Sequence, residues 1–144
     1  MNKDLKEFLK SFNEKKVDYM IVGGFAVAYY GYPRYTGDID VWIKKTKENA
    51  QKIVEIVKSF GFSDIDLSDH DFLEDNMVFQ FGVEPNRIDI ITDLDGLRFD
   101  EAEKNKQKVS IDDVSVYIIS LADLKKNKKL SGRYKDLDDI ENLP

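Results

Sequence analysis

The chain has 144 residues, 42% of them hydrophobic and 35% charged, with a net charge of −6, no cysteine and a lone histidine, His70. That length predicts one domain over residues 1–144 and excludes any need for disulfides; with no Cys there is no thiolate nucleophile and no Cys-ligated metal. A metal here would have to be held mainly by carboxylates, which favours hard ions such as Mg²⁺ or Mn²⁺.

Leu5, Phe8, Leu9 and Phe12 recur at i, i+3, i+4 and i+7, which predicts an amphipathic helix. Residues 17–22 are apolar and β-prone and end at Gly23-Gly24, before a short helix through residues 25–28. Gly31, Tyr32, Pro33 and Gly37 mark a loop. Ile39, Val41 and Ile43 then alternate with Asp38, Asp40 and Trp42, the pattern of a two-sided strand. Thr46 is placed to cap a helix carrying Ala50, Ile53, Val54, Ile56, Val57 and Phe60, with Gly61 as its stop. Residues 62–75 read as acidic and irregular. Residues 77–81 and 87–92 read as a hairpin, residues 93–96 as a turn, and a short helix is placed near residues 100–106. Residues 114–119 form a further strand, and two helices fill about 120–143, split at Ser131-Gly132. The class is α/β (α+β), with a mixed sheet because the hairpin argues against all-parallel pairing.

No apolar run approaches the ~18 residues of a membrane span. The charged amphipathic opening does not read as a signal peptide, so a cytoplasmic protein without membrane contact is expected. Charge is unevenly spread. Residues 62–103 hold 13 acidic and 2 basic residues, net −11, while residues 104–135 hold 9 basic and 3 acidic, net +6. Such a division suits a metal and an anion held side by side.

Asp38 and Asp40 carry the chemistry. On a strand, residues two apart point to one face, about 6.6 Å apart along the backbone, close enough to reach one ion or a pair of ions. Asp89, in Arg87-Ile88-Asp89-Ile90, repeats the pattern of one carboxylate on an apolar strand. Gly23-Gly24 follows a strand and opens a helix, a place where phosphate can approach backbone N–H groups.

Residues 19–43, YMIVGGFAVAYYGYPRYTGDIDVWI, resemble the minimal nucleotidyltransferases of the DNA polymerase β superfamily. The shared order is strand, G-[GS], about ten residues, D-x-D, and a third Asp on a later strand. Arg34-x-Thr36-x-Asp38-Ile39-Asp40 resembles the form found in small stand-alone members. The tail, residues 121–128 and Gly132-Arg133-Tyr134-Lys135-Asp136, is similar to the last motif of an abortive-infection branch that includes type IV toxin-like and antibiotic-modifying enzymes. Many members have Gly-Ser where this chain has Gly23-Gly24.

The resemblance implies a nucleotidyltransferase sheet with helices mainly on one face and an open carboxylate-bearing cleft. It implies transfer of a nucleoside monophosphate from a nucleoside triphosphate to a hydroxyl acceptor, which could be a small molecule, protein or RNA. Asp38, Asp40 and Asp89 would be the catalytic and metal-holding acids, with Mg²⁺ or Mn²⁺ as cofactor. Gly23, Gly24, Arg34, Thr36, Lys128, Arg133 and Lys135 would bind the nucleotide. The alternative is an interaction module of the same fold, one half of a toxin–antitoxin pair with a cognate protein partner. Extended nucleic-acid binding is not expected, because the Lys125–Lys129 cluster is narrow and the net charge negative. Trp42 shares the carboxylate face and could stack on a base, though packing is the commoner role of an aromatic on a strand.

Overall fold

The computed structural model describes residues 3–31, 38–62, 66–83 and 87–144, with the side chains of residues 62, 134 and 135 outside that set. The chain opens with α1 (Lys3–Glu14), β1 (Tyr19–Val22) and α2 (Gly23–Tyr29), followed by β2 (Asp38–Ile43) and α3 (Lys47–Val57). The hairpin β3 (Val78–Phe81) and β4 (Arg87–Ile91) comes next, then α4 (Phe99–Glu103). A second hairpin, β5 (Gln107–Ile111) and β6 (Val114–Ile118), leads into α5 (Leu121–Ser131) and α6 (Tyr134–Asn142).

Among the described residues the strands form one mixed sheet in the order β3-β4-β2-β1-β6-β5. β2 runs antiparallel to β1 and parallel to β4. The central strands are the most buried, with all four residues of β1 and four of the six in β2 out of solvent. Leu5, Phe8, Leu9 and Phe12 bury the inner face of α1, with Phe12 edge-on to Tyr19 at 5.5 Å. Ile39, Val41 and Ile43 are fully buried, as their alternation requires.

Thr46 caps α3 by accepting from the Asn49 N–H at 3.2 Å. Asn49 is itself buried and clamps the start of α3 to the sheet. Its amide donates to the carbonyls of Asp18 and Lys44, and its Oδ1 accepts from the Asp18 N–H at 2.8 Å. Past α3 the chain turns through Lys58–Phe62, with Gly61 at φ 93°, the left-handed stop expected from sequence.

Two expectations are corrected. Residues 107–111 pair along β6 as a strand where none was anticipated. The acidic stretch after Phe62 is not wholly irregular, since Asp69–Phe72 form a 3₁₀ turn closed by reciprocal Ser68 and Asp71 capping bonds. Among the described residues, no helix is long and apolar enough to cross a membrane.

Candidate active site

The register of the sheet assembles the acids. β2 and β4 lie side by side with Asp40 opposite Asp89 and Asp38 opposite Arg87. Asp38, Asp40 and Asp89 each bring a carboxylate oxygen within 4.8 Å of the others. Oxygens on opposite sides of one ion stand about 4.2 Å apart at Mg²⁺ distances and about 5 Å apart at Ca²⁺ distances. The trio therefore has the donor chemistry and the spacing to hold a hard divalent ion. Asp89 is 6% exposed, unusual for a carboxylate without a functional or paired role.

Burial dominates the electrostatics of the trio. It pushes the Asp40 carboxyl up to about 7, helped by the charges of Asp38 and Asp89 and by a hydrogen bond with Asp38, against the pull of Lys128. Burial also raises Asp89, to about 6, aided by its hydrogen bond with Asp38 and opposed by Arg87. Asp38 goes the other way. Burial would raise it, but hydrogen bonds from Asp89, Arg87 and Asp40 outweigh that and hold it below the ordinary carboxyl value. The three acids therefore titrate as one interacting set, which without metal gives up its later protons less readily than ordinary carboxyls do.

Gly23 explains how Asp40 fits. It is the first residue of α2, at φ 67°, and a Cβ there would stand 2.1 Å from Asp40 Oδ2. The glycine leaves the space that the Asp40 carboxylate occupies, so packing alone demands it. A cavity of about 480 Å³ opens above. Gly23, Gly24, Asp40, Asp89, Lys128, Arg133 and Asp136 are among its walls.

The basic residues of the tail reach that cavity as a network. Lys128 is 3% exposed, donates to Asp136 Oδ1 at 3.1 Å and lies 3.1 Å from Asp139 Oδ2. Arg133 Nε donates to Asp136 Oδ2 at 2.7 Å. Burial alone would raise Asp136, but these two cations lower its carboxyl to about 2. Lys128 and Arg133 therefore wall the same cavity as Asp40 and Asp89, while Asp38 joins the trio beside it. Arg34 and Thr36 lie outside the described residues, as does the side chain of Lys135.

Trp42 resolves toward packing. It is 1% exposed and meets Phe99 edge-on at 5.1 Å. Tyr30 also packs, donating its hydroxyl to the Ile119 carbonyl at 2.6 Å.

Three residues of the site were not expected from the sequence. Arg87 donates to Asp89 Oδ1 at 2.9 Å and to Asp38 Oδ2 at 3.1 Å. Its signal was available, because Arg87 and Asp89 are two apart on a strand and so share a face. Asp136 and Asp139 hold Lys128 from the next helix, eight and eleven residues away, and no local periodicity announces that pairing.

Known proteins of this shape point the same way. A nucleotidyltransferase-type protein from Thermotoga maritima, TM1012, superposes with a TM-score of 0.65 at 16% identity, covering 95% of this chain and 88% of its own. The lincosamide antibiotic adenylyltransferase LnuA, solved with lincomycin, gives 0.60 at 20% identity over 99% of this chain and 95% of its own. ANT(2″)-Ia, solved with adenylyl-2″-tobramycin, gives 0.56 at 15% identity over 95% and 83%. At these identities the likeness establishes the fold. No curated protein matches the sequence significantly. Residues 1–144 match throughout the family model described as "Nucleotidyl transferase of unknown function (DUF2204)", and the chain belongs to that nucleotidyl transferase family.

Proposed function

We propose that this protein moves a nucleoside monophosphate from a nucleoside triphosphate to the hydroxyl of an acceptor, acting as one domain over residues 1–144. The observation that carries the reading is the meeting of Asp38, Asp40 and Asp89 within 4.8 Å, two of which, Asp40 and Asp89, wall a cavity together with Gly24, Lys128 and Arg133. Nucleotidyl transfer asks a protein for charge neutralisation and in-line positioning more than for covalent chemistry. Asp38, Asp40 and Asp89 would hold Mg²⁺ or Mn²⁺, which when bound supplies neutralisation of the triphosphate.

The rest falls to the chain's own groups. The backbone at Gly23-Gly24 approaches the phosphates, with no side chain in the way at Gly24. Lys128 and Arg133 offset phosphate charge from the opposite wall, and Arg34, Thr36 and Lys135 are assigned to the same nucleotide. Asp89 takes the acceptor proton. The acceptor oxygen bonds to the α-phosphorus, the bond from that phosphorus to the bridging α–β oxygen breaks, and pyrophosphate leaves with the electron pair. Burial raises the Asp89 carboxyl in the metal-free site, and a bound cation would lower it again, so Asp89 is ionised at neutral pH when the site is loaded.

Two neighbours of the same fold modify antibiotics, which supports a small hydroxylated molecule as the first acceptor class to try and ATP as the first donor. The test incubates the protein with each α-labelled triphosphate, Mg²⁺ or Mn²⁺, and a fractionated lysate. A labelled product in one fraction identifies donor and acceptor together. No product in any fraction, with pyrophosphate release also absent, overturns the reading.

A further inference from the structure

The proposed reaction needs Asp38 and Asp89 as metal ligands, yet one side chain engages both. Arg87 donates from Nε to Asp89 Oδ1 at 2.9 Å and from Nη2 to Asp89 Oδ2 at 3.2 Å. The same Nη2 donates to Asp38 Oδ2 at 3.1 Å. The bridge is built into the sheet. Arg87 and Asp89 share one face of β4, and Asp38 is the residue opposite Arg87 on β2. A planar guanidinium can serve two carboxylates at once, whereas an ammonium is a point donor. A quarter of the Arg87 side chain remains in solvent, which leaves it a path out of the bridge.

We propose that Arg87 is a latch on the carboxylate triad that makes loading of the divalent metal conditional on arrival of the nucleoside triphosphate. The inference rests on the nucleotidyl-transfer reading above. A metal entering alone must break three charge-assisted hydrogen bonds and draw the guanidinium away from its carboxylates. A metal entering with a triphosphate brings phosphate oxygens that replace the carboxylates as acceptors for that guanidinium. By linkage, the triphosphate then raises metal affinity by the same factor as the metal raises triphosphate affinity. Arg87 is a positioning residue before loading and a phosphate partner after it.

The experiment titrates Mn²⁺ and follows the free-ion signal by electron paramagnetic resonance, a readout independent of turnover. It compares wild type, Arg87→Met, Arg87→Lys and Lys126→Gln, each with and without the non-transferable α,β-methylene analogue of ATP. Without analogue, Arg87→Met and Arg87→Lys should both bind Mn²⁺ about tenfold tighter than wild type, the loss of roughly one charge-assisted bond. Lys126→Gln removes an exposed charge of α5 that has no part in the site and should shift affinity by less than about threefold. The analogue should tighten Mn²⁺ binding about tenfold in wild type and in Lys126→Gln, and by clearly less in both Arg87 variants. Arg87→Lys keeps the charge and loses the bridge, so it carries the test if Arg87→Met fails to fold. Wild-type affinity in Arg87→Lys, or a metal affinity raised as much in Lys126→Gln as in the Arg87 variants, would reduce the effect to net charge and overturn the latch. Weaker binding in both Arg87 variants would make Arg87 a scaffold and overturn it too. No Mn²⁺ binding to any form with analogue would remove the metal centre and the latch together, whereas binding indifferent to Arg87 would remove the latch alone.

Discussion

Replacing Asp40 by Asn should stabilise the metal-free protein, and increasingly so as pH rises from about 4 to about 7. The Asp40 carboxyl is raised from 3.8 to about 7 in the fold. Between those values the folded state holds a proton that the unfolded chain has released. Stability from this group therefore falls as pH rises from about 4 to about 7. A displacement of that size corresponds to at most about 4 kcal/mol at pH 8. Asn carries no charge and so escapes both the charge desolvation and the repulsion from Asp38 and Asp89, but it buries an amide whose N–H groups need partners, so about half, or ~2 kcal/mol, is the expected gain. Unfolding entropy near 2.1 cal/mol/K per residue gives about 0.3 kcal/mol per degree for a chain of this length. Asp40→Asn should then melt about 7 °C above wild type at pH 8 with chelator present, about 3 °C above it at pH 5, where a little over a third of the difference has developed, and level with it near pH 3. Differential scanning calorimetry at the three pH values is the assay. A variant that melts below wild type at pH 8, or an increment independent of pH, would refute the repulsion of the three acids in one site.

Metal and nucleotide should narrow that gap. Mg²⁺ with the donor triphosphate at ten times its dissociation constant should raise the wild-type Tm by about 5 °C, from ~1.4 kcal/mol of linkage, and leave Asp40→Asn nearly unmoved. Gly23→Ala places a methyl against Asp40 Oδ2 at a backbone angle of φ 67°; it should cost about 2 kcal/mol or more and weaken Mn²⁺ binding, both readable by calorimetry. Lys128→Met takes the buried ammonium away from Asp139 and from Asp136. It should lower Tm by about 10–15 °C, as breaking a buried pair costs about 3–5 kcal/mol, and adding Asp139→Asn should recover part of the loss.

Strict period-2 alternation makes the triad legible in the sequence itself. Asp38 and Asp40 flank Ile39, and Asp89 sits between Ile88 and Ile90, so burial of the neighbours settles the face of each. Thr46 and Gly61 are legible because caps and stops are local chemistry. β5 is not, because Gln107–Ile111 is an edge strand whose side chains stay largely in solvent, and burial writes little into such a sequence. The Lys128–Asp136–Asp139 group is hidden for another reason. Its members come together only when α6 folds back on α5, a tertiary event with no period of its own. Trp42 shows the limit of face arguments. It shares the side of Asp40, yet Phe99 arrives from a distant helix and covers it.

If Asp38, Asp40 and Asp89 together perform nucleotidyl transfer, the decisive assay is label transfer from the α-labelled triphosphate in wild type and in Asp38→Asn, Asp40→Asn and Asp89→Asn, each first shown by its melting curve to be folded. Wild type should label the acceptor only with metal present, and chelator should abolish the signal. Each of the three variants should label at least about a hundredfold more slowly. Labelling that persists at the wild-type rate in any folded variant, or that survives chelation, would contradict the claim.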